Sequence, residues 1–327
     1  MAKKPSAFNG VVIVDKPTPL TSHDVVARLR EITQTRQVGH AGTLDPMATG
    51  VLICGIGKAT KLLGRIADTN KSYNATIRLG ISTSTDDAQG HALESIGVAN
   101  RIAAITEQLP AEVERLTGEI MQRPSSISAI KVDGKRAYHR VRAGEEIDLP
   151  LRPVSVTRFE VLASRPSILP ETETEVLDVE VEVDCTTGTY IRALARDLGA
   201  ALGVGGHVIA LRRTAVGPFG VDSARTLDDL ANDFSLLSLP DTCDLLYRGV
   251  QLADEPADWF RHGRRSPWPS GLDPALTVAV SSSEQLLGLA ECKDGLLAPT
   301  VVWAPANEEP GTSPSQQQPS VNDRIEP

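Results

Sequence analysis

Residues 177–185 constrain the fold of this chain most, because apolar and acidic side chains alternate along them without interruption. The apolar members of the series are Leu177, Val179, Val181, Val183 and Cys185. A period of two places them on one face of a β-strand and the acidic residues on the other. A strand with one apolar and one charged face is typical of an antiparallel sheet with one solvated side, and we predict such a sheet here.

Other segments add helices to this sheet. Residues 73–79 alternate in the same way and predict a second strand. A helix is predicted to begin at Thr21 or Ser22, whose hydroxyl groups suit an N-cap. Another helix is predicted over residues 189–198, ended by Gly199. Together these patterns predict an α+β fold, with a mixed, largely antiparallel sheet and flanking helices.

The length of 327 residues and a change in composition predict two domains and a tail. Residues 8–240 hold the strands and helices just described. Prolines and tryptophans become frequent after about residue 235, and residues 246–304 predict a small β-rich domain. Residues 305–327 contain almost no apolar side chains, so we predict a disordered tail there.

Composition excludes several classes of protein. Hydrophobic residues make up 41% of the chain, which is enough for a core and argues against general disorder. No apolar run approaches the roughly 18 residues of a membrane helix, and residues 1–7 lack the apolar stretch of a signal peptide. We therefore expect a cytoplasmic protein with no membrane partner. The four cysteines have no C-x-x-C spacing, which argues against a disulfide framework or a zinc site.

The net charge of −9, from 33 basic and 42 acidic residues, by itself argues against a nucleic-acid partner. The charges are unevenly distributed, however. Residues 171–184 hold seven acids and no base, whereas residues 1–70 hold nine bases and five acids. A basic surface on one part of the molecule is therefore compatible with the acidic total.

Several familiar catalytic motifs do not occur in the sequence. Residues 55–60 look like a phosphate-binding loop, but Ala59 stands where that motif requires Ser or Thr, and Leu52 stands where it requires its first glycine. The six histidines form no H-E-x-x-H or H-x-E pattern, and no G-x-S-x-G sequence occurs. We therefore expect neither a nucleotide-binding P-loop nor a metal hydrolase.

Residues 39–46, Gly-His-Ala-Gly-Thr-Leu-Asp-Pro, carry the strongest chemical signal. The density of Gly, Thr, Pro and Asp over residues 37–50 predicts a loop. Pro46 disfavours a helical backbone at Asp45, and two glycines let the chain bend closely around a ligand. A carboxylate on such a rigid loop can act as a nucleophile or a base. The ordinary alternative is that Asp45 only accepts a turn hydrogen bond, as Asp before Pro often does.

This segment and several others resemble the TruB family of tRNA pseudouridine synthases. The stretch GHAGTLDPMATGVL, followed by GKATK, is similar to the signature of that family. The supporting blocks occur in the family's order, and they are NGVVIVDKP with TSHDVV, KSYNATIRLG, TDDAQG, SAIKVDGKRAYHRVRAGE, and GTYIRALARDLG with LRRT. The resemblance covers about residues 9–220.

The resemblance implies a pseudouridine synthase fold and the isomerisation of a uridine within RNA. The substrate it implies is uridine 55 in the TΨC arm of tRNA, flipped out of its stack into the enzyme. In this reaction the N1–C1′ bond breaks and C5 bonds to C1′, with no redox change. The resemblance therefore implies no cofactor, no metal ion and no obligatory protein partner, and we expect a monomer.

The resemblance also implies roles for individual residues. Asp45 is the implied catalytic carboxylate, and Arg192 is the implied partner, whose guanidinium lowers the pKa of an aspartate. Tyr73 is implied to stack on the target uracil, and Tyr190 and Leu211 are implied to line the uracil pocket. Without the resemblance, Leu211 would be interpreted as a core residue and Arg192 as an exposed helix residue, and Tyr73 could equally be a core residue or a site residue.

Further residues are implied around the site. His40 resembles the residue that fills the space left by the flipped base; otherwise it would be an incidental loop histidine. Lys16 falls in the substrate-binding region, where we expect it to support the loop of Asp45 rather than react. Candidates for phosphate contacts, which position RNA without specifying its sequence, are Lys58, Lys61, Arg212 and Arg213. The alternative for each of them is an ordinary solvated surface charge.

The chain departs from the family pattern at two places. Pro19 stands where the family usually has glycine, and the region after about residue 240 is closer to the shorter C-terminal domain of actinobacterial members than to the PUA domain of many relatives. We expect residues 246–304 to bind RNA. Two alternatives stay open: an RNA-binding or tRNA-folding protein whose chemistry is dispensable, and a synthase directed to another RNA within a guided complex.

Overall fold

The computed structural model describes residues 7–125, 149–283 and 285–304, together with the backbone of residues 131–132 and 135–136. Most of the SAIKVDGKRAYHRVRAGE block and the predicted disordered tail, residues 305–327, lie outside the described residues. The chain divides into two units, Met1–Leu239 and Pro240–Pro327. Each unit has its own sheet and its own buried cluster.

The elements follow one another from an N-terminal strand to a C-terminal strand. The strands of the described residues are β1 (Gly10–Lys16), β2 (Val38–Ala41), β3 (Thr49–Ile56), β4 (Lys71–Leu79), β5 (Ile81–Thr83), β6 (Ala92–Ser95), β7 (Gly118–Gln122), β8 (Lys131–Val132), β9 (Lys135–Arg136), β10 (Arg152–Leu169), β11 (Thr174–Cys185), β12 (Gly206–Val216), β13 (Phe219–Gly220), β14 (Leu237–Ser238), β15 (Arg248–Gln251), β16 (Ser266–Pro267), β17 (Thr277–Ser282), β18 (Gln285–Lys293) and β19 (Leu296–Val302).

The helices lie between these strands. The α-helices of the described residues are α1 (Ser22–Thr33), α2 (Leu63–Ala67), α3 (Ile102–Arg115), α4 (Ile191–Ala201), α5 (Leu227–Asn232), α6 (Leu239–Leu246) and α7 (Asp254–Arg261). Two short 3-10 helices cover Gly57–Leu62 and Val221–Ser223. None of the helices in the described ranges combines the length and the apolar content that crossing a membrane requires.

Eight strands of the first unit form a continuous path in the order β14–β1–β3–β12–β4–β11–β10–β7, with β2 paired to β3 and β13 paired to β12. Neighbouring strands are antiparallel except β12 and β3, which run parallel where Arg212 lies beside Thr49 and Arg213 lies beside Gly50. The predicted class, a mixed and largely antiparallel sheet with flanking helices, is confirmed. The parallel pairing brings the loop that precedes β3 next to β12.

Strand β11 confirms the alternation predicted for residues 177–185. Its five inward side chains, from Leu177 to Cys185, are at most 1% exposed. Burial of each large apolar side chain contributes about 1.5–3 kcal/mol relative to exposure. This apolar face therefore supplies the centre of the sheet's core.

The acidic face of β11 is paired with arginines of the neighbouring strands. We call these cross-strand ion pairs the outer ladder, and they are Arg78–Asp178, Arg165–Glu180 and Arg158–Glu182. Opposite charges on facing strands stabilise an antiparallel pair. The acidic residues thus form the solvated side of a strand, and arginines of the neighbouring strands neutralise three of them.

Helix α1 begins where its capping residues predict. The hydroxyl of Thr21 accepts from the Asp24 amide at 3.1 Å, and the Asp24 carboxylate accepts from the Thr21 amide at 2.8 Å. This reciprocal pair satisfies two amides that the first helical turn leaves without partners. Val25, Val26 and Leu29 then face the core.

Helix α4 differs from the prediction at both ends. It begins at Ile191, later than the predicted Thr189, and it continues through Gly199 instead of ending there. A Cβ at Gly199 would lie 2.2 Å from backbone atoms of Gly205 and Gly206. Gly199 is therefore a point of close helix–strand packing and not a C-cap, which local sequence does not distinguish.

The second unit forms a five-stranded sheet in the order β15–β17–β18–β19–β16. Ala257 and Phe260 on the buried side of α7 pack in one cluster with Val278, Val280 and Leu287 of the sheet. The predicted β-rich character of the C-terminal region is confirmed.

Candidate active site

The loop between β2 and β3 carries Asp45. Gly42 in this loop has a φ of +79°, a conformation that favours glycine. The amide of Ala48 donates to the carbonyl of Asp45 at 3.1 Å and closes a turn with Pro46 as its second residue. The turn hydrogen bond uses the main chain of Asp45, so its carboxylate is free to bind elsewhere.

The predicted loop over residues 37–50 is shorter than expected. Its first part is β2, in which His40 pairs with Cys54 of β3. A Cβ at Gly50 would lie 2.1 Å from the carbonyl oxygen of Arg213. The prediction was wrong at its ends because residues 38–41 and 49–50 pair as strands, and Gly50 allows close packing against β12 instead of a turn.

Lys16, the last residue of β1, supports the loop of Asp45. It is fully buried, and its ammonium group donates to the carbonyls of Pro17 at 3.0 Å, Leu20 at 2.6 Å and Pro46 at 3.3 Å. Burial lowers the pKa of Lys16 to about 8, although the Asp45 carboxylate acts in the opposite direction. The ammonium of Lys16 thus binds backbone carbonyls on both sides, including that of Pro46 next to Asp45.

Arg192 lies in the first turn of α4 and contacts Asp45 through two nitrogens. Arg192 Nε lies 3.0 Å from Asp45 Oδ2, and Nη2 donates to Oδ1 at 3.3 Å. The Arg192 side chain is 5% exposed and that of Asp45 is 35% exposed. A two-point contact of this kind sets the direction of the carboxylate as well as its charge. The structure thus brings together the two residues on which the predicted site depends.

Sequence analysis missed a second carboxylate, that of Asp87, beside Arg192. Arg192 Nη1 lies 3.3 Å from Asp87 Oδ2 and also donates to the Thr85 carbonyl at 2.9 Å. Asp87 is 3% exposed, and it accepts from the Thr85 hydroxyl and from the amide of Gln89 at 3.0 Å. We call Asp45, Arg192 and Asp87 the arginine network.

A signal for Asp87 was present in the sequence. Asp86 and Asp87 are adjacent acids in a turn, and Arg192 and Arg196 lie one helical turn apart on α4. Arg196 Nη1 lies 3.2 Å from Asp86 Oδ2, parallel to the contact between Arg192 and Asp87. Two adjacent acids facing two arginines at helical spacing predict such a double ion pair.

The charge state of Asp45 results from opposing effects. Burial raises the pKa of the Asp45 carboxyl, Arg192 acts in the opposite direction, and the Asp87 carboxylate adds to the increase. Arg192 thus acts in the predicted direction, but the net direction of the pKa shift is upward because the loss of water outweighs the pairing. Both oxygens of Asp45 contact the guanidinium, which favours the ionised form.

A cleft of about 320 Å³ opens beside Asp45. Tyr73 of β4, Leu211 of β12 and Tyr190, just before α4, line it together with Arg192. Tyr73 and Leu211 are each 8% exposed. The volume lies at the lower end of the roughly 300–1,000 Å³ of small-molecule sites, which suits one small planar group.

Arg213 faces Tyr73 across the pair of β12 and β4. It is 1% exposed, its Nε donates to the Val51 carbonyl at 2.7 Å, and its Nη2 donates to the Gly42 carbonyl at 3.0 Å. Burial raises the pKa of Tyr73, and Arg213 acts in the opposite direction. Tyr73 is therefore a neutral phenol at neutral pH.

Comparison with known proteins assigns the family. The model described as TruB family pseudouridylate synthase (N terminal domain) matches residues 30–191. Two C-terminal models follow it, tRNA pseudouridylate synthase B C-terminal domain over 192–240 and Pseudouridine synthase II TruB, C-terminal, over 249–302. A tRNA pseudouridine synthase B of Arthrobacter sp. (strain FB24) is 51% identical over 314 residues, which cover 93% of this chain and 99% of the relative. The chain belongs to the TruB family.

Other TruB relatives agree with this assignment. A tRNA pseudouridine synthase B of Mycobacteroides abscessus is 50% identical over 305 residues, covering 93% of this chain and 99% of the relative. Among solved structures, a chain of a Cbf5-Nop10-Gar1 complex is 26% identical, with a TM-score of 0.66, over 93% of this chain and 88% of that chain. The family assignment therefore rests on both sequence and fold.

The residues expected to contact phosphates in this TruB protein lie in different settings. Lys61 is exposed and Lys58 is half-buried, both on the 3-10 helix after β3. Arg212 binds Asp15 through two N–H groups at 3.0 and 2.8 Å. Arg213 points to the opposite side of the sheet from Arg212, where it is buried, donates to the Val51 and Gly42 carbonyls and lines the cleft beside Asp45.

His40 lies beside the TruB signature loop but outside the residues that line the cleft. Its ring packs edge to face against His23, with the two ring centroids 5.5 Å apart. The role expected for His40, filling the space left by a flipped base, stays a prediction.

Proposed function

We propose that this TruB protein converts uridine 55 in the TΨC arm of tRNA to pseudouridine. The observation that carries the proposal is the two-point contact of Arg192 with Asp45 at the edge of a cleft lined by Tyr73, Tyr190 and Leu211. The relatives from Arthrobacter and Mycobacteroides are named tRNA pseudouridine synthase B, which supports tRNA as the substrate.

The reaction needs little beyond these residues. The N1–C1′ bond breaks, the uracil turns, and a C5–C1′ bond forms; the hydrogen on C5 leaves as a proton, and N1 gains one. No electrons are transferred to or from another molecule. In this proposal Asp45 is the catalytic carboxylate, and its first step is attack at C1′, attack at C6 or removal of the C2′ proton.

The cleft holds the uracil during this rearrangement. A stacked uridine has to be extruded from its RNA before it can enter, which costs a few kcal/mol. In the proposed complex, Tyr73 stacks on the extruded base, Tyr190 and Leu211 enclose it, and the phenol of Tyr73 assists transfer of the C5 proton. The 35% exposure of the Asp45 side chain leaves a path by which a nucleotide can reach it.

Contacts with the rest of the RNA are expected outside the cleft. In this proposal Lys58 and Lys61 bind phosphates, and His40 fills the space that the flipped base leaves. In the second unit, Arg264 and Arg265 are exposed after the end of α7, and we expect this domain to bind RNA through them. Several phosphate contacts make binding weaken steeply as salt rises.

We propose further that the protein acts as a monomer in the cytoplasm, without an obligatory protein partner. The relatives that are about 50% identical are named tRNA pseudouridine synthase B, whereas the matched chain of the Cbf5-Nop10-Gar1 complex is 26% identical. A guided complex with another RNA target is therefore the less supported alternative. Activity of the purified protein on a bare transcript separates the two.

Release of tritium from a tRNA transcript labelled at C5 of its uridines tests the function. The purified protein alone is expected to release tritium from one site, and a matched transcript with cytidine at position 55 is expected to release none. Equal release from both transcripts would contradict the position. No release from either would contradict the activity.

A gene replacement distinguishes catalysis from an RNA-binding or tRNA-folding role. A deletion strain that carries the Asp45→Asn gene is expected to lack the modification and to retain the defect of the deletion. Full recovery of fitness without pseudouridine in the tRNA would favour a binding or folding role.

A further inference from the structure

Gln122, the last residue of β7, is 1% exposed and contacts the start of α4. Its Oε1 accepts from the Tyr190 amide at 2.9 Å, and its Nε2 donates to the Tyr190 carbonyl at 3.1 Å. One buried amide side chain thus binds both backbone groups of a residue 68 positions away in the sequence.

Tyr190 is the residue from which α4 departs. Its backbone is extended, with φ −107° and ψ 111°, and its carbonyl also accepts the first helical hydrogen bond, from the Leu194 amide at 3.1 Å. Arg192 follows two residues later. The position of the Tyr190 backbone therefore determines where α4 begins and where the Arg192 guanidinium meets Asp45.

The segment that begins at Gln122 contacts the arginine network at a second point. Ser125 is fully buried, and its hydroxyl donates to the Thr85 carbonyl at 3.2 Å. The same carbonyl accepts from Arg192 Nη1 at 2.9 Å. Residues 122–125 therefore hold both the helix that carries Arg192 and a group to which Arg192 donates.

We propose that Gln122 is a positioning residue for the isomerisation: by binding both backbone groups of Tyr190, it sets the start of α4, so that Arg192 meets Asp45 and the Tyr190 side chain lines the cleft. Gln122 does not contact the substrate in this proposal, which rests on the function proposed above. A displacement of about 1 Å in a catalytic group can lower a rate by ~10²-fold.

Thr186 provides a matched control because it makes the same kind of contact elsewhere. Its hydroxyl accepts from the Ser155 amide at 3.0 Å and donates to the Ser155 carbonyl at 3.3 Å. This pair also joins a side chain to both backbone groups of one distant residue, but it links the loop before α4 to β10. A Thr186→Val variant therefore removes a comparable contact without releasing Tyr190.

The first experiment measures single-turnover tritium release, tRNA affinity and Tm for wild type, Gln122→Met and Thr186→Val. Methionine keeps the length of glutamine and removes both hydrogen bonds. We expect Gln122→Met to lower the rate constant by about 10–10²-fold while the tRNA Kd changes by less than about threefold. Thr186→Val is expected to lower Tm comparably and to keep the wild-type rate constant.

The second experiment uses Gln122→Glu and a pH series. An ionised Glu can accept from the Tyr190 amide but repels the Tyr190 carbonyl, whereas a protonated Glu can also donate to that carbonyl. The ratio of the Gln122→Glu rate to the wild-type rate is therefore expected to rise as the pH falls from about 8 to about 6. A merely structural contact would leave this ratio constant.

The outcomes separate this inference from the proposed function. If wild type releases no tritium, the function itself fails. If wild type is active, a wild-type rate constant in folded Gln122→Met, or an equal loss of rate in Thr186→Val, overturns the positioning role. If Gln122→Met does not fold, the pH dependence of Gln122→Glu decides alone.

Discussion

Two arginine–carboxylate pairs of the first unit, one on the face of its sheet and one beside the cleft, use the same chemistry in different ways. In the outer ladder, Arg78 binds Asp178 through two N–H groups, both at 2.7 Å, and each side chain is 20% exposed. In the arginine network, Arg192 meets Asp45 at the longer distances of 3.0 and 3.3 Å, but its side chain is 5% exposed. The Asp45 side chain is 35% exposed, so the two pairs differ in the burial of the arginine: the longer contact belongs to the more deeply buried guanidinium.

We infer from this difference that burial of the arginine, and its sharing between two carboxylates, matter more for function than the N–O distance of the ion pair. Solvent screens the outer pair, so each of its charges tolerates the loss of its partner. Arg192 is shared between Asp45 and Asp87, and Asp45 also borders the cleft. The buried Arg192 guanidinium thus orients the Asp45 carboxylate and favours its charged form.

The largest difference between the two regions is expected from removing each arginine. Arg192→Met leaves the buried Asp87 carboxylate without its cation, which we expect to cost about 3–5 kcal/mol of unfolding free energy and to lower tritium release about 10³-fold. Arg78→Met is expected to cost about 1 kcal/mol or less and to leave the rate unchanged. Urea unfolding and single-turnover assays check both, and equal effects of the two substitutions would break the comparison.

A smaller effect is expected from neutralising one carboxylate in each region, Asp87 in the arginine network and Asp178 in the outer ladder. Asp87→Asn leaves Arg192 less firmly oriented, and we expect tritium release to fall about 10–10²-fold. Because the Asp87 carboxylate helps raise the pKa of Asp45, the acid limb of the pH–rate profile is expected to move to lower pH. Asp178→Asn in the outer ladder is expected to change neither the rate nor the acid limb of the pH–rate profile. A shift of that limb in Asp178→Asn would contradict the difference between the two regions.

The pH dependence of the wild-type rate sharpens the comparison further. Below the raised pKa of Asp45 the carboxyl is protonated and the rate falls. Above about pH 8 the neutral amine of Lys16 has two N–H groups for three carbonyls, so the loop of Asp45 loosens and the rate falls again. A bell-shaped profile of single-turnover rates is expected; a flat profile through pH 9 would contradict the role of Lys16.

Deprotonation of Lys16 is expected to raise the free energy of unfolding, although it lowers the rate. The pKa of Lys16 is about 8 in the folded protein, against 10.5 for the free side chain, so the folded state loses this proton first. The contribution of Lys16 to the free energy of unfolding therefore rises between pH 8 and 10.5, and Lys71 acts in the same direction. Urea unfolding of wild type and a Lys16→Met variant at several pH values isolates this contribution, and a fall over that range would contradict it.

The smallest effect is expected in the exposed part of the outer ladder. Glu180 pairs with Arg165 at 2.9 Å, with side chains 41% and 71% exposed. Glu180→Gln is expected to change the unfolding free energy by about 0.5 kcal/mol or less, and by less still at 1 M salt, where charges are screened within about 3 Å. A larger change that persists in high salt would mean that this pair is coupled to the core.

The sheet and the central pair of the site were predictable because their signals are local. The alternation along residues 177–185 predicted β11 and its two faces. Through the family resemblance, the motif around Asp45 identified the loop, and the GTYIRALARDLG block identified Arg192. The structure confirms the fold class and places Asp45 against Arg192. The roles of the surrounding residues stay predictions.

Other features could not be predicted because they depend on contacts between distant parts of the chain. The burial of Arg213 follows from the register of β12 against β4, which no local pattern encodes. Gln122 meets Tyr190 across 68 positions, and the direction of the pKa shift of Asp45 follows from burial that appears only after folding. The adjacent acids Asp86 and Asp87 are visible in the sequence, but their pairing with Arg196 and Arg192 depends on where α4 lies in the fold.

The most direct test of this account compares Asp45→Asn with wild type in tritium release from C5-labelled tRNA under single-turnover conditions. Asparagine keeps the shape of the side chain and removes its charge. We expect tRNA binding within about threefold of wild type and no release of tritium. Release by Asp45→Asn at the wild-type rate would contradict it.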